Sequence, residues 1–329
     1  MTQDYLAYRF PKKDIQYKSG TFQAMDSENV NYRGFIIGDF YKKQQYLFKE
    51  ESESKLEKFY FHKLDEEPNV IDKKSYLDYG AMLLRLMPTL SIDKIVYARI
   101  KEVSFESRKI TALFQALCNA YPTAFIYLAS SKEFGTWLGA SPEILLESHE
   151  QHGFTMALAG TKIKDDKHEW SQKEQHEQQY VTDFILEQLN KSGINNIETE
   201  GPYTSLAGNL EHLRTDLSFD LNKKPPLELA NILHPTPAVC GVPRKDSLDL
   251  IASVELKDCG YDRSLYCGYI GTSSKHQTKL YVNLRCCQFM NEKAFLYVGG
   301  GYTIDSEPSK EWDETERKSE TLTKIFDLL

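Results

Sequence analysis

Short apolar runs separated by turn-forming residues recur along much of the chain, and this pattern predicts strands. Their close spacing and short connections favour antiparallel pairing. The last two runs are expected to form a hairpin, with residues 290–294 as its loop. The predicted strands cover residues 35–37, 46–48, 95–97, 125–128, 136–138, 144–146, 154–158, 280–289 and 295–304.

Four other segments are predicted as helices, most clearly where apolar residues recur every three or four positions. They cover residues 75–87, 107–118, 169–190 and 308–328. Pro88 is expected to end the first helix, and Ser306 with Pro308 is expected to cap the last. A charge run at residues 49–58 is expected to be solvated surface. The mixed order predicts an α+β fold with large, mostly antiparallel sheets.

Composition narrows the classes of partner. The 40 basic and 48 acidic side chains give a formal charge of −8, which argues against a nucleic-acid or anionic-membrane surface. No apolar run is long enough for a transmembrane helix, and the N-terminus lacks a signal-peptide core, so a cytoplasmic location is expected. Six cysteines without a C-x-x-C pair lack zinc-ribbon spacing, and we expect them to be reduced and mostly buried.

Two predicted helices each carry a pair of glutamates spaced three residues apart. The pairs are Glu174 with Glu177 and Glu311 with Glu314, and Lys318 follows four residues after the second pair. Residues three or four apart share one face of a helix. Four carboxylates from two helices could hold a hard cation such as Mg²⁺, which prefers oxygen ligands. Spacing alone fits a solvated acidic face better, because exposed glutamates are common on helices.

Other candidate residues are ambiguous when taken singly. Residues 299–301 are three glycines that could let a ligand approach the backbone or form a flexible turn. Strict alternation along residues 280–285 would place Arg285 on the same face as Tyr281 and Asn283. Its guanidinium could bind a carboxylate or simply face solvent.

A lone lysine and a lone histidine are weaker candidates. Lys94 directly precedes the predicted strand at residues 95–97, where a lysine is usually a surface residue. Only burial would suit such an amine to act as a base. His212 lies in the run Leu210–Leu213, and an isolated histidine there is more often structural than catalytic.

Taken together and in this order, these residues resemble one family, the chorismate-utilising enzymes. That family includes isochorismate, salicylate, anthranilate and aminodeoxychorismate synthases. The resemblance covers about three-quarters of the chain. It rests on ordered matches at residues 93–96 (DKIV), 99 (R), 139–145 (GASPEIL), 157–161 (ALAGT), 173–177 (KEQHE), 211–213 (EHL), 233–241 (LHPTPAVCG), 263–268 (RSLYCG), 283–285 (NLR) and 306–318 (SEPSKEWDETERK).

The resemblance implies a fold of two interlocked α/β halves with helices packed outside. Residues 1–91 match weakly and are expected to be the N-terminal part of the fold. Residues 92–329 are expected to be the chorismate-binding catalytic region of a single structural domain. Gln178 stands where the family usually has His, and Ser264 stands where Gly is common. These departures remove none of the implied catalytic groups.

The resemblance also implies roles for individual residues. Lys94 would be the general base that takes a proton from the attacking water. Glu143 would be the general acid that protonates the departing 4-hydroxyl on the opposite face of the ring. Glu177 and Glu314 would hold Mg²⁺, supported by Glu174 and Glu311. The substrate-binding residues would be Gly160, Thr161, His212, Ala238, Tyr266, Arg285, Gly301 and Lys318, with Tyr266 and Arg285 clamping the enolpyruvyl carboxylate.

Three features choose a reaction within the family. Ala159 stands where aminodeoxychorismate synthases place a nucleophilic Lys. The run at residues 234–241 (HPTPAVCG) is the form typical of isochorismate synthases rather than of members that work with a glutaminase partner. Members that eliminate pyruvate typically carry Thr where this chain has Ala238. The resemblance therefore implies Mg²⁺-dependent conversion of chorismate to isochorismate, without a glutaminase subunit.

Two alternatives stay open at this point. A salicylate synthase would carry isochorismate on to salicylate and pyruvate. A catalytically silent binding module on the same scaffold is a different class of function, but it would not need both Lys94 and Glu143. The sequence does not tell whether the product would feed menaquinone or siderophore synthesis, nor the oligomeric state.

Overall fold

In the computed structural model, the strands join side by side in a single sheet. The structure describes residues 3–26, 31–52, 59–164, 167–208 and 210–329, and in these residues the sheet has 16 strands. Every pair of neighbours is antiparallel, as the short connections predict. The strands are β1 (Asp4–Arg9), β2 (Gln16–Ala24), β3 (Gly34–Gly38), β4 (Gln45–Ser52), β5 (Lys94–Ser104), β6 (Phe125–Ser131), β7 (Gly135–Ser141), β8 (Ile144–His149), β9 (His152–Ile163), β10 (Ile197–Ala207), β11 (Leu210–Asp220), β12 (Gly241–Val242), β13 (Tyr269–Ser273), β14 (Gln277–Val282), β15 (Cys286–Met290) and β16 (Lys293–Thr303).

The first four strands lie in the middle of this sheet. β3 pairs with β13 and β1 pairs with β6, so β1–β4 join one arm that ends at β10 to another that ends at β12. The apolar pattern predicts only short parts of β3 and β4 and misses β1 and β2. β2 has few buried residues, and its extended form comes from pairing with β1 and β4 rather than from its own pattern.

The predicted long strand at residues 280–289 is wrong, because the chain forms two strands there. β14 pairs with β13 and β8, whereas β15 pairs with β7 and β16. Between them Asn283 exchanges backbone hydrogen bonds with Cys267 and Gly268, and Arg285 has a left-handed φ of 50°. The strict alternation expected through Arg285 therefore stops after Val282. The predicted hairpin is present and is formed by β15 and β16.

Helices cover the sheet. α3 packs against β9 and β11, and α6 packs against β16, α1 and α2. The four predicted helices are present as α1, α2, α3 and α6, and the sequence pattern missed α4 and α5. The helices are α1 (Lys73–Thr89), α2 (Ile110–Ala120), α3 (Gln172–Lys191), α4 (Pro226–Leu233), α5 (Arg244–Ile251) and α6 (Pro308–Phe326), with a 3₁₀ turn at Ser107–Lys109 and a π-helical segment at Ala252–Asp258.

Two expected helix ends differ from the structure. Pro88 lies inside the last turn of α1, which ends one residue later at Thr89. Pro88 lacks an N–H to donate, but Leu90 N still donates to the carbonyl of Leu86 at 3.0 Å and closes the last turn. Ser306 does not cap α6: Glu307 precedes Pro308, and the Ser306 hydroxyl donates to Glu311 Oε1 at 2.8 Å.

The charge run at residues 49–58 is exposed at residues 49–51, as expected for solvated surface. Its first part belongs to β4, where Glu50 and Glu51 are exposed, and residues 53–58 lie outside the described residues. All six cysteines are buried, which agrees with the expectation that they behave as small apolar side chains. Among the helices of the described residues, none combines the length and the apolar character needed to cross a bilayer.

Candidate active site

One cavity collects most of the candidate residues. It lies between β9 and β11, the segment before β12, the connection from β14 to β15, and β16 with α6. Its lining includes Glu143, Gly160, Thr161, Glu177, His212, Ala238, Tyr266, Arg285, Gly301 and Lys318. The other four candidates lie around this lining: Lys94 against Glu177, Glu314 against Lys318, Glu174 beside Gly160, and Glu311 beside Gly300.

Lys94 is completely buried, so the interpretation of this residue as a surface lysine is wrong. It begins β5, which lies between β16 and β12 and is therefore covered on both edges. Its Nζ is 3.0 Å from Glu177 Oε1. A solvent-exposed lysine is mainly hydrated, whereas Lys94 Nζ is shielded from water and contacts one carboxylate. The ion pair joins a strand to helix α3 at the edge of the cavity.

The three glycines are part of strand β16 and do not form a flexible turn. A Cβ on Gly301 would stand 2.1 Å from Glu177 Oε1 and 3.2 Å from Lys94 Cε. A Cβ on Gly299 would stand 3.0 Å from the Tyr266 hydroxyl oxygen. The strand thus lacks side chains where functional groups approach its backbone most closely, which is the use expected of glycine.

Glu143 lies in the connection from β7 to β8 and is 3% exposed. Burial raises the pKa of its carboxyl to about 8, although the positive charges of Lys94, Lys318 and Arg285 act in the opposite direction. Its backbone carbonyl accepts from Val282 N at 3.0 Å, which ties the connection to the end of β14. At neutral pH this side chain is therefore a carboxylic acid that can give up a proton.

His212 and Arg285 form a hydrogen-bonded unit. His212 Nδ1 is 2.7 Å from the carbonyl oxygen of Gly160, so Nδ1 carries the proton and donates. Arg285 Nη2 then donates to His212 Nε2 at 3.4 Å. Burial, with the nearby charge of Arg285, lowers the pKa of His212 to about 3, so the ring is neutral. His212 is thus a buried, hydrogen-bonded residue and also part of the cavity wall.

Arg285 is half-buried and faces the cavity. It lines the cavity, and its Nη1 donates to the backbone carbonyl of Lys318 at 3.3 Å. Burial lowers its pKa. Among the described residues, no carboxylate forms an ion pair with this guanidinium. The fork is held in place by a carbonyl oxygen and a neutral imidazole, which leaves its charge available to an anionic ligand.

The two glutamate pairs are not a solvated acidic face. Glu311 is 1% exposed; its Oε1 is 2.5 Å from Lys173 Nζ. Burial and the charge of Glu314 raise the pKa of Glu311 to about 7. Burial also acts to raise the pKa of Glu314, but the Lys318 ammonium, 2.6 Å away, brings it below its ordinary value. Glu174 accepts from the backbone N–H of Ser171 at 3.0 Å and caps α3.

In the residues described, no three His, Cys, Asp or Glu side chains are arranged as a ligand set for a metal ion. The carboxylates instead face lysines, as Glu177 does Lys94 and Glu311 does Lys173. One carboxylate oxygen, Oε2 of Glu311, is buried and lacks a hydrogen-bond partner in the described residues. A Cβ on Gly300 would stand 2.9 Å from that oxygen, so the glycine lets the carboxylate lie directly against β16.

Several lining residues received no role from the sequence. Six of the eight lie inside the matched motifs, so those motifs already contained the signal for them. Tyr297 and Val298 had no such signal, because nothing in their pattern distinguishes them from other residues of a buried strand. The unassigned lining residues are Val96, Pro142, Leu158, Val239, Cys267, Leu284, Tyr297 and Val298.

Known proteins resemble this chain in sequence and in fold. A family model described as "Chorismate binding enzyme" matches residues 25–327. Isochorismate synthase EntC of Escherichia coli K12 is 28% identical over 256 residues, which cover 74% of this chain and 64% of that protein. The matched part thus spans less than two thirds of that relative's length.

Solved structures share the fold. The menaquinone-specific isochorismate synthase MenF from Escherichia coli superposes with a TM-score of 0.83 at 22% identity, covering 99% of this chain and 89% of that chain. Anthranilate synthase component I from Streptococcus pneumoniae has a TM-score of 0.66 at 19% identity, covering 79% of this chain and 61% of that chain. The expected fold of the chorismate-utilising enzymes is confirmed.

The raised pKa of Glu143 predicts that this residue destabilises the protein at alkaline pH. The folded state keeps the proton up to about pH 8, whereas the unfolded chain loses it near 4.5. Stability therefore falls as pH rises from 4.5 through 8. Glu143→Gln should be more stable than the wild type above pH 8, by on the order of a few kcal/mol, with a smaller gain at pH 5.

Urea unfolding at pH 5 and pH 9 measures this difference. Glu198→Gln on the exposed edge strand β10 is the matched control, because an exposed carboxylate carries no burial penalty. A gain for Glu143→Gln that does not grow with pH would show that the carboxyl is not protonated in the folded protein.

Proposed function

The chain belongs to the chorismate binding enzymes, and on that premise we propose that it is an isochorismate synthase. It would convert chorismate to isochorismate by adding water at C2 and expelling the hydroxyl at C4. One observation carries this proposal: a buried amine, Lys94, and a buried carboxylic acid, Glu143, both belong to the surroundings of one cavity. The names of relatives such as EntC and MenF support the same activity.

The proposed chemistry needs one acid and one base. Water is a poor nucleophile, so Lys94 would take its proton; hydroxide is a poor leaving group, so Glu143 would protonate it as the C4–O bond breaks. The water gained at C2 and the water lost from C4 balance, and the reaction is an isomerisation. Lys94 accepts a proton only as the neutral amine. The proposal therefore requires its ion pair with Glu177 to loosen when the substrate binds.

The substrate is a dianion, and the cavity offers a place for its side-chain carboxylate. Tyr266 and Arg285 would clamp the enolpyruvyl carboxylate, because the guanidinium has no carboxylate partner among the described residues. His212 is neutral and does not compete for that charge. Gly160, Thr161, Gly301 and Lys318 would complete the pocket around the ring.

We propose Mg²⁺ as the cofactor. The carboxylates have the oxygen chemistry that this ion prefers, and the unpartnered Oε2 of Glu311 beside Gly300 fits an additional cation. Glu177 and Glu314 would hold the ion, supported by Glu174 and Glu311. When bound, it would supply positive charge that neutralises and orients the ring carboxylate of chorismate. The lysines that now pair with these carboxylates would give up part of that contact.

Two alanines support isochorismate as the released product. Ala159 and Ala238 both line the cavity. A methyl group at position 159 offers no amine for a covalent ring intermediate. At position 238 it offers no hydroxyl to hold the enolpyruvyl group folded over the ring. The runner-up is a salicylate synthase, which would need that folded geometry for pyruvate elimination.

We further propose that the enzyme acts without a glutaminase subunit, because the attacking group is water rather than ammonia. We also propose a cytoplasmic location from the composition. Which enzymes consume the isochorismate would decide whether it serves menaquinone or siderophore synthesis. We propose that residues 1–91 and 92–329 form a single structural domain. β1–β4 in the middle of the sheet support that proposal.

The acid–base assignment predicts that Lys94→Ala and Glu143→Gln each lose on the order of 10²-fold or more in kcat. Wild-type activity should also fall as pH rises through about 8, because the acid must be protonated to act. Steady-state assays with chorismate and Mg²⁺ measure both effects. Lys191→Ala, an exposed lysine on α3, is the control. Near-normal turnover in both active-site variants would rule out these roles.

The metal assignment predicts that chelation abolishes activity and that Mg²⁺ restores it. Glu177→Gln and Glu314→Gln should weaken Mg²⁺ binding, because each removes a charged oxygen ligand. Titration calorimetry measures the affinity independently of turnover. Glu187→Gln, an exposed carboxylate on the same helix as Glu177, should bind Mg²⁺ like the wild type. Full activity in excess chelator would contradict the proposal.

The product assignment predicts that the wild type releases isochorismate and almost no pyruvate. Ala238→Thr adds a hydroxyl and bulk beside the side chain of the substrate, and detectable salicylate and pyruvate should follow. We expect a small effect, because one hydrogen bond contributes about 1 kcal/mol. The measurement is pyruvate released per chorismate consumed, with products identified by mass and NMR. Abundant pyruvate from the wild type would mean a salicylate synthase.

A further inference from the structure

Asn283 links the two chain segments that carry the proposed carboxylate clamp. It is completely buried in the turn between β14 and β15, two residues before Arg285. Its Nδ2 donates to the carbonyl oxygen of Leu265 at 2.8 Å, directly before Tyr266. We propose that Asn283 is a positioning residue that sets the placement of Tyr266 relative to Arg285.

The backbone of Asn283 makes the same connection. Its N–H donates to Gly268 O at 2.8 Å, and its carbonyl accepts from Cys267 N at 2.9 Å. The segment that carries Tyr266 is thus held to the turn of Arg285 by one side-chain and two backbone hydrogen bonds. Three bonds between the same two segments leave little freedom for either to shift alone.

Both segments contain residues in a costly backbone conformation beside the clamp. Cys267, which follows Tyr266, has a φ of 62°, and Arg285 itself has a φ of 50°. Residues other than glycine adopt these left-handed backbone angles only where the surrounding structure holds them there. The bonds to Asn283 provide such surroundings, and losing the side-chain bond to Leu265 would loosen them and let the clamp move.

Tyr127 holds the Asn283 side chain from the opposite direction. The Tyr127 hydroxyl, on β6, donates to Asn283 Oδ1 at 2.8 Å, which fixes the amide with its nitrogen toward Leu265. Gly139 on β7 leaves room for the tyrosine, since a Cβ there would stand 2.7 Å from the ring. Tyr127 and Asn283 do not line the cavity described above, so neither would touch the substrate.

The consequence concerns substrate binding rather than the acid or the base. The clamp would hold a carboxylate that does not react, so weakening it removes binding shared by the ground state and the transition state. Such a loss raises KM and leaves kcat nearly unchanged. The inference rests on the proposed function, because the clamp is defined by the carboxylate of chorismate.

Three variants test the inference. Tyr127→Phe removes one hydroxyl and leaves the Asn283–Leu265 bond, whereas Asn283→Leu removes both side-chain bonds at similar volume. Tyr269→Phe is the matched control, because Tyr269 is also fully buried and its hydroxyl donates to Asn231 Oδ1 at the same 2.8 Å. Tyr269 and Asn231 are absent from the cavity lining in the part of the chain described.

We expect KM for chorismate to rise about threefold in Tyr127→Phe and roughly tenfold in Asn283→Leu, with kcat within about twofold of the wild type. Tyr269→Phe should lower the melting temperature about as much as Tyr127→Phe and leave KM unchanged. If Asn283→Leu does not fold, as judged by circular dichroism, Tyr127→Phe decides the question against Tyr269→Phe.

An unchanged KM in Tyr127→Phe, with a melting temperature lowered as in the control, would show that the residue pair only stabilises the fold. A fall in kcat at constant KM would equally overturn the inference. Turnover of chorismate by the wild type separates this result from a failure of the proposed function. If the wild type does not convert chorismate, the function is wrong; if it does and the variants keep its KM, only the inference fails.

Discussion

The buried ion pair between Glu255 and Arg263 is the interaction on which the arrangement of the cavity depends. Both residues are at most 1% exposed, and two N–H groups of the guanidinium donate to the two carboxylate oxygens, each at 2.6 Å. Arg263 also donates to the carbonyl oxygens of Val96 at 2.7 Å and Val239 at 2.8 Å, while Glu255 accepts from Ala98 N at 3.0 Å. Buried charges are tolerated only when such bonds are complete.

This requirement determines where the chemistry can take place. Lys94 lies two residues before one of the bonded carbonyls, Ala238 is next to another, and Tyr266 follows the arginine by three residues. The three segments come from distant parts of the chain, yet a shift in any of them would leave a buried donor or acceptor unpaired. Such a group costs about 1–3 kcal/mol, and more if it is charged. Glu255 itself belongs to a π-helical segment. Such segments are rare in proteins, and those that occur are often found at functional sites.

Local patterns in the sequence predict elements, whereas the long-range partners decide which candidates become a site. The helices that carry the glutamates and the hairpin of β15 and β16 follow from periodicity and loop length. The turn at Asn283 cannot be predicted in this way, because its hydrogen bonds go to residues 265–268 in the segment before β13. The burial of Lys94 is also invisible locally, since β16 and β12 cover it from elsewhere in the chain. Composition and spacing favoured a surface lysine at position 94 and a solvated acidic face for the glutamate pairs. The family resemblance instead suggested that these residues belong to one site.

Among the charged groups named as lining the cavity or pairing with them, one cation has no carboxylate partner. Lys94 is balanced by Glu177 and Lys318 by Glu314, while Glu143 is protonated at neutral pH. Among these groups, only Arg285 lacks a carboxylate partner. Burial lowers its pKa, as expected for a guanidinium that loses water without gaining a carboxylate. A partly buried cation without a carboxylate partner opposes folding. An anionic ligand would remove that cost on binding. The charge that lowers the stability of the ligand-free protein would therefore provide affinity for a carboxylate.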